Sequence, residues 1–247
     1  LLGVIHHQRG DYHAALELIG KADRFRPDHP ATLNNLGSVL RELGRHEEAL
    51  QALIRSLALR PDFAEAYTNL GTVYKKLGRA ADAEAAYRRA LALNPRDGKA
   101  LNNLGNLWLE KGAYDAALDW YGRALALAPD APLTQYNLGS ALLKMGRIDE
   151  AEAALVQALK GEPAMVEALY ALGSLYQLRY EFPRAIALLQ RAIALQPARA
   201  DAHVKLAQTH HATNLFRAAP QSLHHAKRLA PHPPTAPRAR RAPRPAA

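Results

Sequence analysis

Asparagine stands at positions 35, 69, 103 and 137, always 34 residues apart and always just before Leu-Gly, and Ala171 takes the next such position. A primary amide offers one acceptor and two donors, the functional groups of a peptide bond itself. Asn35, Asn69, Asn103 and Asn137 are therefore suited to hydrogen-bonding an extended polypeptide without regard to its side chains. The chain's 11 histidines raise a second possibility, metal ligation. His203 and His210 are seven apart, with His211, His224 and His225 nearby, but the first two occupy the slots of Leu101 and Trp108. They read as core-facing substitutes. His6-His7 likewise sits near the Tyr74/Trp108 slot. No His-x₃-His pair, carboxylate ligand set, phosphate-cradling glycine loop or nucleophile–base constellation is present, so no catalytic residue, metal or cofactor is expected.

Composition narrows the classes further. Cysteine is absent, which excludes disulfides and thiolate metal sites and suits a reducing, cytoplasmic setting. No apolar run approaches the ~20 residues of a membrane span. The formal charge is +9, but the last fourteen residues, PTAPRARRAPRPAA, supply four of those charges through Arg238, Arg240, Arg241 and Arg244. The rest mixes both signs, so nucleic-acid binding is expected, if anywhere, only through the tail. Pro- and Arg-rich composition marks residues 234–247 as a disordered extension. The chain opens on Leu1 in mid-pattern and is read as a fragment of a longer one.

These residues are positioned by a period. Proline recurs at 27, 61, 95, 129, 163, 197 and 231, and glycine at 3, 37, 71, 105, 139 and 173, with Ala207 next. A second glycine follows at 10, 44, 78, 112 and 146, replaced by Tyr180 and Asn214; alanine recurs at 15, 49, 83, 117, 151, 185 and 219. Between a proline and the second glycine, Tyr67, Leu70, Val73, Tyr74 and Leu77 fall at helical spacing. Gly78 ends that helix by adopting a left-handed conformation. A second helix follows, with Ala83, Tyr87, Ala90 and Leu91 on one face, and Asn94-Pro95 stops it. Glu47-Glu48, Asp149-Glu150 and Glu152 lie at the starts of second helices, where acids favour the helix dipole. Gly71, costly in mid-helix, is expected to admit close approach of Ala83, so that a leucine at 83 would overpack the contact.

The order of residues resembles the tetratricopeptide repeat, a 34-residue helix–turn–helix. The match is fullest over 98–131, with Leu101, Leu104, Gly105, Trp108, Gly112, Tyr114, Ala117, Tyr121, Ala124 and Pro129. The resemblance implies an all-α fold, an α-solenoid in which stacked hairpins wind into a right-handed superhelix. Its units would be 30–63, 64–97, 98–131, 132–165, 166–199 and 200–233, after a partial unit at 1–29. The last would be a degenerate, capping unit, with Lys227 in place of Leu57, Leu91, Leu125 or Leu159, flanked by His224 and His225, and with Pro220 inside its second helix.

The resemblance further implies that first helices line a concave groove and that the residue before Leu-Gly faces into it. Asn35, Asn69, Asn103 and Asn137 would then form a ladder, as in the repeat region of O-linked N-acetylglucosamine transferase. Neighbours expected to contribute are Asn34, Asn102, Asn106, Thr72, Lys75, Lys76, Lys99, Lys144, Glu65 and Glu110. The same asparagines also suit a purely internal role, bonding locally between helices. The pattern by which related repeats clamp a chaperone's C-terminal carboxylate does not fit: the relevant pairs are Asn34/Ser38, Thr68/Thr72 and Asn102/Asn106, with Lys99/Asn103 third.

The expected function is a noncatalytic scaffold whose partner is a protein or extended peptide rather than a small molecule. The alternative is the recognition arm of a larger bacterial glycosyltransferase or sulfotransferase. Nothing in the sequence sets the oligomeric state.

Overall fold

The computed structural model describes residues 2–213, all of whose regular structure is helical. Thirteen helices follow one another among these residues: α1 (Leu2–Gln8), α2 (Tyr12–Phe25), α3 (Pro30–Glu42), α4 (His46–Leu59), α5 (Ala64–Lys76), α6 (Ala80–Leu93), α7 (Gly98–Glu110), α8 (Tyr114–Leu127), α9 (Pro132–Lys144), α10 (Ile148–Gly161), α11 (Val166–Leu178), α12 (Phe182–Leu195) and α13 (Ala200–Ala212). The first twelve pair as six antiparallel hairpins and α13 follows them; the chain divides into two compact units, one ending at Gly161 and one beginning at Glu162. Each unit is an α-solenoid. The expectations placed on Asn214, Pro220, His224, His225, Lys227 and the tail at 234–247 lie outside the described residues.

The hairpin turn is set by glycine. Gly10, Gly44, Gly78, Gly112 and Gly146 all have φ between +74° and +79°, a region where a Cβ meets the following carbonyl. At Gly78 the chain reverses through Gly78 N–H to the Lys75 carbonyl (3.1 Å) and Arg79 N–H to the Tyr74 carbonyl (2.9 Å), the paired bonds of a helix C-terminus. Tyr180 adopts the same conformation at φ 62° without being glycine. At the next helix start Glu48 takes Arg45 at 2.6 Å and Glu150 takes Arg147 at 2.7 Å; these pairs are exposed and contribute little to stability.

The apolar core lies between hairpins as much as within them. Leu40, Leu50, Leu53, Leu57, Ala66, Leu70, Val73 and Ala86 form one buried cluster joining α3, α4, α5 and α6. Ala83, Tyr87, Leu104 and Leu107 form the next, joining α6 to α7. A hairpin buries its face only against its neighbours, as a solenoid requires.

The mid-helix glycines admit a large side chain rather than a small one. A Cβ at Gly71 would lie 2.5 Å from Cε1 of Tyr87. Ala83 is fully buried, and the side chain nearest the notch is that of Tyr87, one helical turn further on. Ile19, Leu53, Tyr121, Leu155 and Leu189 occupy the same place above Gly3, Gly37, Gly105, Gly139 and Gly173. A side chain reaching across from the second helix explains why alanine at the first would not do: its added methyl would sit inside that ring or isobutyl group.

Candidate groove on the first helices

Helices α3, α5, α7 and α9 place their polar positions along one face. The repeat's fifth position (Asn34, Thr68, Asn102) is buried, while Asn35, Asn69 and Asn103 beside it are half-buried. Burial obliges these groups to find partners, and they find them across the repeat boundary. Asn69 Nδ2 donates to Asn34 Oδ1 at 2.8 Å, and Asn137 Nδ2 donates to Asn102 Oδ1 at 2.9 Å. Asn103 would meet Thr68 by the same rule but donates instead to Thr72 Oγ1 at 3.3 Å. Thr72 also accepts from the Tyr87 hydroxyl at 3.3 Å, and Asn106 Oδ1 accepts from the Tyr121 hydroxyl at 2.7 Å.

One donor of Asn69, Asn103 and Asn137 is thus spent between helices, leaving each with a second N–H and its Oδ1. Exposure separates them. Asn69 and Asn103 line a depression of about 610 Å³ together with Arg41, Glu42, Thr72, Lys76, Lys99 and Leu133. Asn137 is only 9% exposed. A second depression of about 570 Å³ continues past Glu65, Asp97, Gly98 and Thr134, sharing Thr68, Asn69, Lys99, Asn102 and Leu133 with the first. His46 Nδ1 is buried without a hydrogen-bond partner among the described residues, and His46 also lines the first depression.

Of the residues expected to form the groove, Asn69, Thr72, Lys76, Lys99, Asn102 and Asn103 line these two depressions, as does Glu65. Asn34, Asn35, Asn106, Asn137, Lys75, Lys144 and Glu110 are not among the lining residues of either. Lys75 instead pairs with Glu110 at 2.7 Å. Arg41, Thr68 and Leu133 line the groove beyond those expected, although register could have found them: each shares its repeat position with an expected residue, Lys75, Asn34 and Lys99 respectively. His203 and His210 are buried as expected of core substitutes, and His203 Nε2 lies 3.0 Å from the Pro197 carbonyl oxygen. Among the described residues no group of three potential metal ligands converges, and no helix is long and apolar enough to cross a membrane.

Tetratricopeptide repeat models match residues 1–62, 28–96, 68–132, 109–175 and 168–201, which together run from 1 to 201. The chain belongs to the tetratricopeptide repeat family. Among solved structures, this tetratricopeptide repeat protein is similar to a chain of the APC/C hetero-tetramer Cut9–Hcn1, with a TM-score of 0.84 and 20% identity over 94% of this chain and 46% of that one. It therefore spans about half that relative's length. PilF of Pseudomonas aeruginosa matches with a TM-score of 0.75 and 22% identity over 82% of this chain and 92% of that one. YrrB, a TPR protein with an unusual peptide-binding site, matches with a TM-score of 0.54 and 24% identity over 76% of this chain and 96% of that one. At such identities the likeness is one of fold. No curated protein sequence matches the chain.

Proposed function

We propose that the chain is a noncatalytic interaction scaffold that holds an extended segment of a partner protein in the groove along α3, α5, α7 and α9. One observation carries this reading: the two depressions share Thr68, Asn69, Lys99, Asn102 and Leu133 and so make one continuous trough on successive first helices, with amides and hydroxyls set among apolar surface. A trough of amides and hydroxyls repeated along parallel helices matches the repeat of a peptide backbone better than it matches a compact small molecule. The family is one of interaction modules, and YrrB, with its peptide-binding site, has the same fold.

Magnitudes show what else the groove must supply. A hydrogen bond to a bound peptide contributes on the order of 1 kcal/mol net, and ordering each peptide residue costs about 1–2 kcal/mol. The free amide valences of Asn69 and Asn103 therefore only offset the ordering cost. Net affinity has to come from apolar contact, for which Leu133 stands 56% exposed in the groove, and from charge. Within a longer protein bearing a transferase domain, the same groove would serve as its recognition arm; that reading shares the binding event and adds a transfer reaction after it.

The test is selection of linear displayed peptides against the full chain, then affinity measurements on the Asn69→Ala/Asn103→Ala variant. Selected peptides should bind at least about fivefold more weakly to the variant, as loss of about 1 kcal/mol implies, while its circular dichroism stays helical. Peptides that bind the folded variant unchanged would place recognition elsewhere.

A further inference from the structure

Resting on that reading, we infer that the groove selects an acidic segment carrying an apolar side chain, with Lys99 and Leu133 as the selecting pair. The carboxylates around the groove already have partners within the protein. Glu42 is paired with Arg41, Glu110 with Lys75 at 2.7 Å. Glu65 accepts from Asn34 Nδ2 at 3.3 Å. Asp97 accepts from the Thr68 hydroxyl at 2.6 Å and from the backbone N–H groups of Lys99 and Ala100 at 3.0 Å each. Lys76 and Lys99, both exposed and both lining the first depression, have no carboxylate partner among the described residues. That depression holds three cations against one acid.

Position on the helix distinguishes Lys99 from Lys76. A lysine in a last turn, like Lys76 in α5, is explained by the helix dipole alone. Lys99 is in the first turn of α7, where the dipole disfavours a cation. The same repeat slot holds Glu65, Glu167 and Asp201 in α5, α11 and α13, each acidic as the dipole favours. The lysine goes against the local dipole, and a bound anion would offset that cost. In the following repeat the slot passes to Leu133, exposed and also lining both depressions.

A polypeptide fits better than a single-stranded nucleic acid. No Phe, Tyr or Trp ring lines either depression, whereas grooves for single strands use aromatic platforms on which bases stack.

The experiment measures fluorescence anisotropy of the full chain with three labelled peptides of equal length, alternating Glu-Leu, Lys-Leu and Ser-Leu, and with labelled oligo-dT. The variants are Lys99→Glu, which restores the slot's common acid and so should fold, Lys76→Glu, and Lys160→Glu as a control on α10. We expect Glu-Leu to bind more tightly than Ser-Leu, Lys-Leu to bind worst, and each groove variant to weaken Glu-Leu by about fivefold or more, with Lys160→Glu neutral. Glu-Leu binding that ignores Lys99→Glu would place the selecting charge elsewhere, the arginine-rich tail included, and overturn the inference. Equal affinity for Glu-Leu and Ser-Leu, lost in Asn69→Ala/Asn103→Ala, would overturn the inference while leaving the peptide groove standing. No binding of any peptide would remove both. Tighter binding of oligo-dT than of Glu-Leu, abolished by Lys99→Glu, would replace the peptide with a nucleic acid.

Discussion

The side-chain amide of Asn69 donates to the amide oxygen of Asn34 at 2.8 Å, although the two lie 35 residues apart. The bond joins α5 to α3 and recurs as Asn137 to Asn102 at 2.9 Å. It gives the repeating asparagine two tasks at once: one donor fixes the stacking of neighbouring hairpins, and the remaining groups are available to the groove wherever the residue is open to it.

Breaking the deeper of these bonds should be costly. Asn137→Ala strands the Oδ1 of Asn102, itself only 5% exposed, and should destabilise the array by about 1–3 kcal/mol. Asn35→Ala, at a half-buried site, should stay within about 0.5 kcal/mol of the parent. Urea titrations followed by circular dichroism compare the two, and equal midpoints would contradict the internal role of Asn137.

Glycines of different surroundings should respond with opposite sign. Gly71→Ala drives a methyl into the fully buried Tyr87 ring, costing about 1–3 kcal/mol of overpacking against about 1 kcal/mol gained in helix propensity. A lower melting temperature is the expected net result. Gly122→Ala in α8 meets nothing within 4 Å and should stabilise by about 0.5–1 kcal/mol. If both variants melt higher than the parent, the notch reading is wrong.

Tyr180 holds a left-handed backbone at φ 62°, where five earlier hairpins have glycine. Tyr180→Gly relieves about 1–2 kcal/mol of conformational strain and forfeits an edge contact with Phe182 at 5.9 Å, itself worth about 0.5–1.5 kcal/mol. A rise of up to about 1 kcal/mol in unfolding free energy is expected; a clear fall would show that the ring contact outweighs the backbone.

Alkaline pH should weaken the fold through its buried phenols. Burial pushes Tyr87 up from 10.0 to about 12, partly opposed by the Thr72 hydroxyl, and Tyr121 is also raised, mainly by burial. A raised phenol holds its proton more tightly in the folded state. Its contribution is therefore whole below pH 10.0 and is lost as the pH climbs toward about 12. Melting temperatures between those limits should fall less steeply for Tyr87→Phe/Tyr121→Phe than for the parent, and parallel slopes would disprove the linkage.

Much of this molecule is written in local chemistry. Pro61 and Pro95 end helices because proline restricts the residue before it, and Gly44 or Gly78 reverses the chain because it tolerates positive φ, so hairpins and their phase follow from the sequence alone. Register places Asn69, Asn103, Lys76 and Lys99 on one face, and all four line one depression. What register could not supply is which neighbour answers each side chain. Spacing pointed Gly71 at Ala83, but the side chain a methyl there would meet first is the ring of Tyr87, one turn further on. Asn103 bonds to Thr72 rather than position 68, where a threonine replaces the asparagine its sister rungs use and gives its hydroxyl to Asp97. Lys75 meets Glu110 across a repeat boundary, leaving Lys76 its charge. Backbone conformation depends on a few adjacent residues, so the sequence determined it; pairing and exposure depend on side chains 16 to 35 positions away, and only the packed helices decide them.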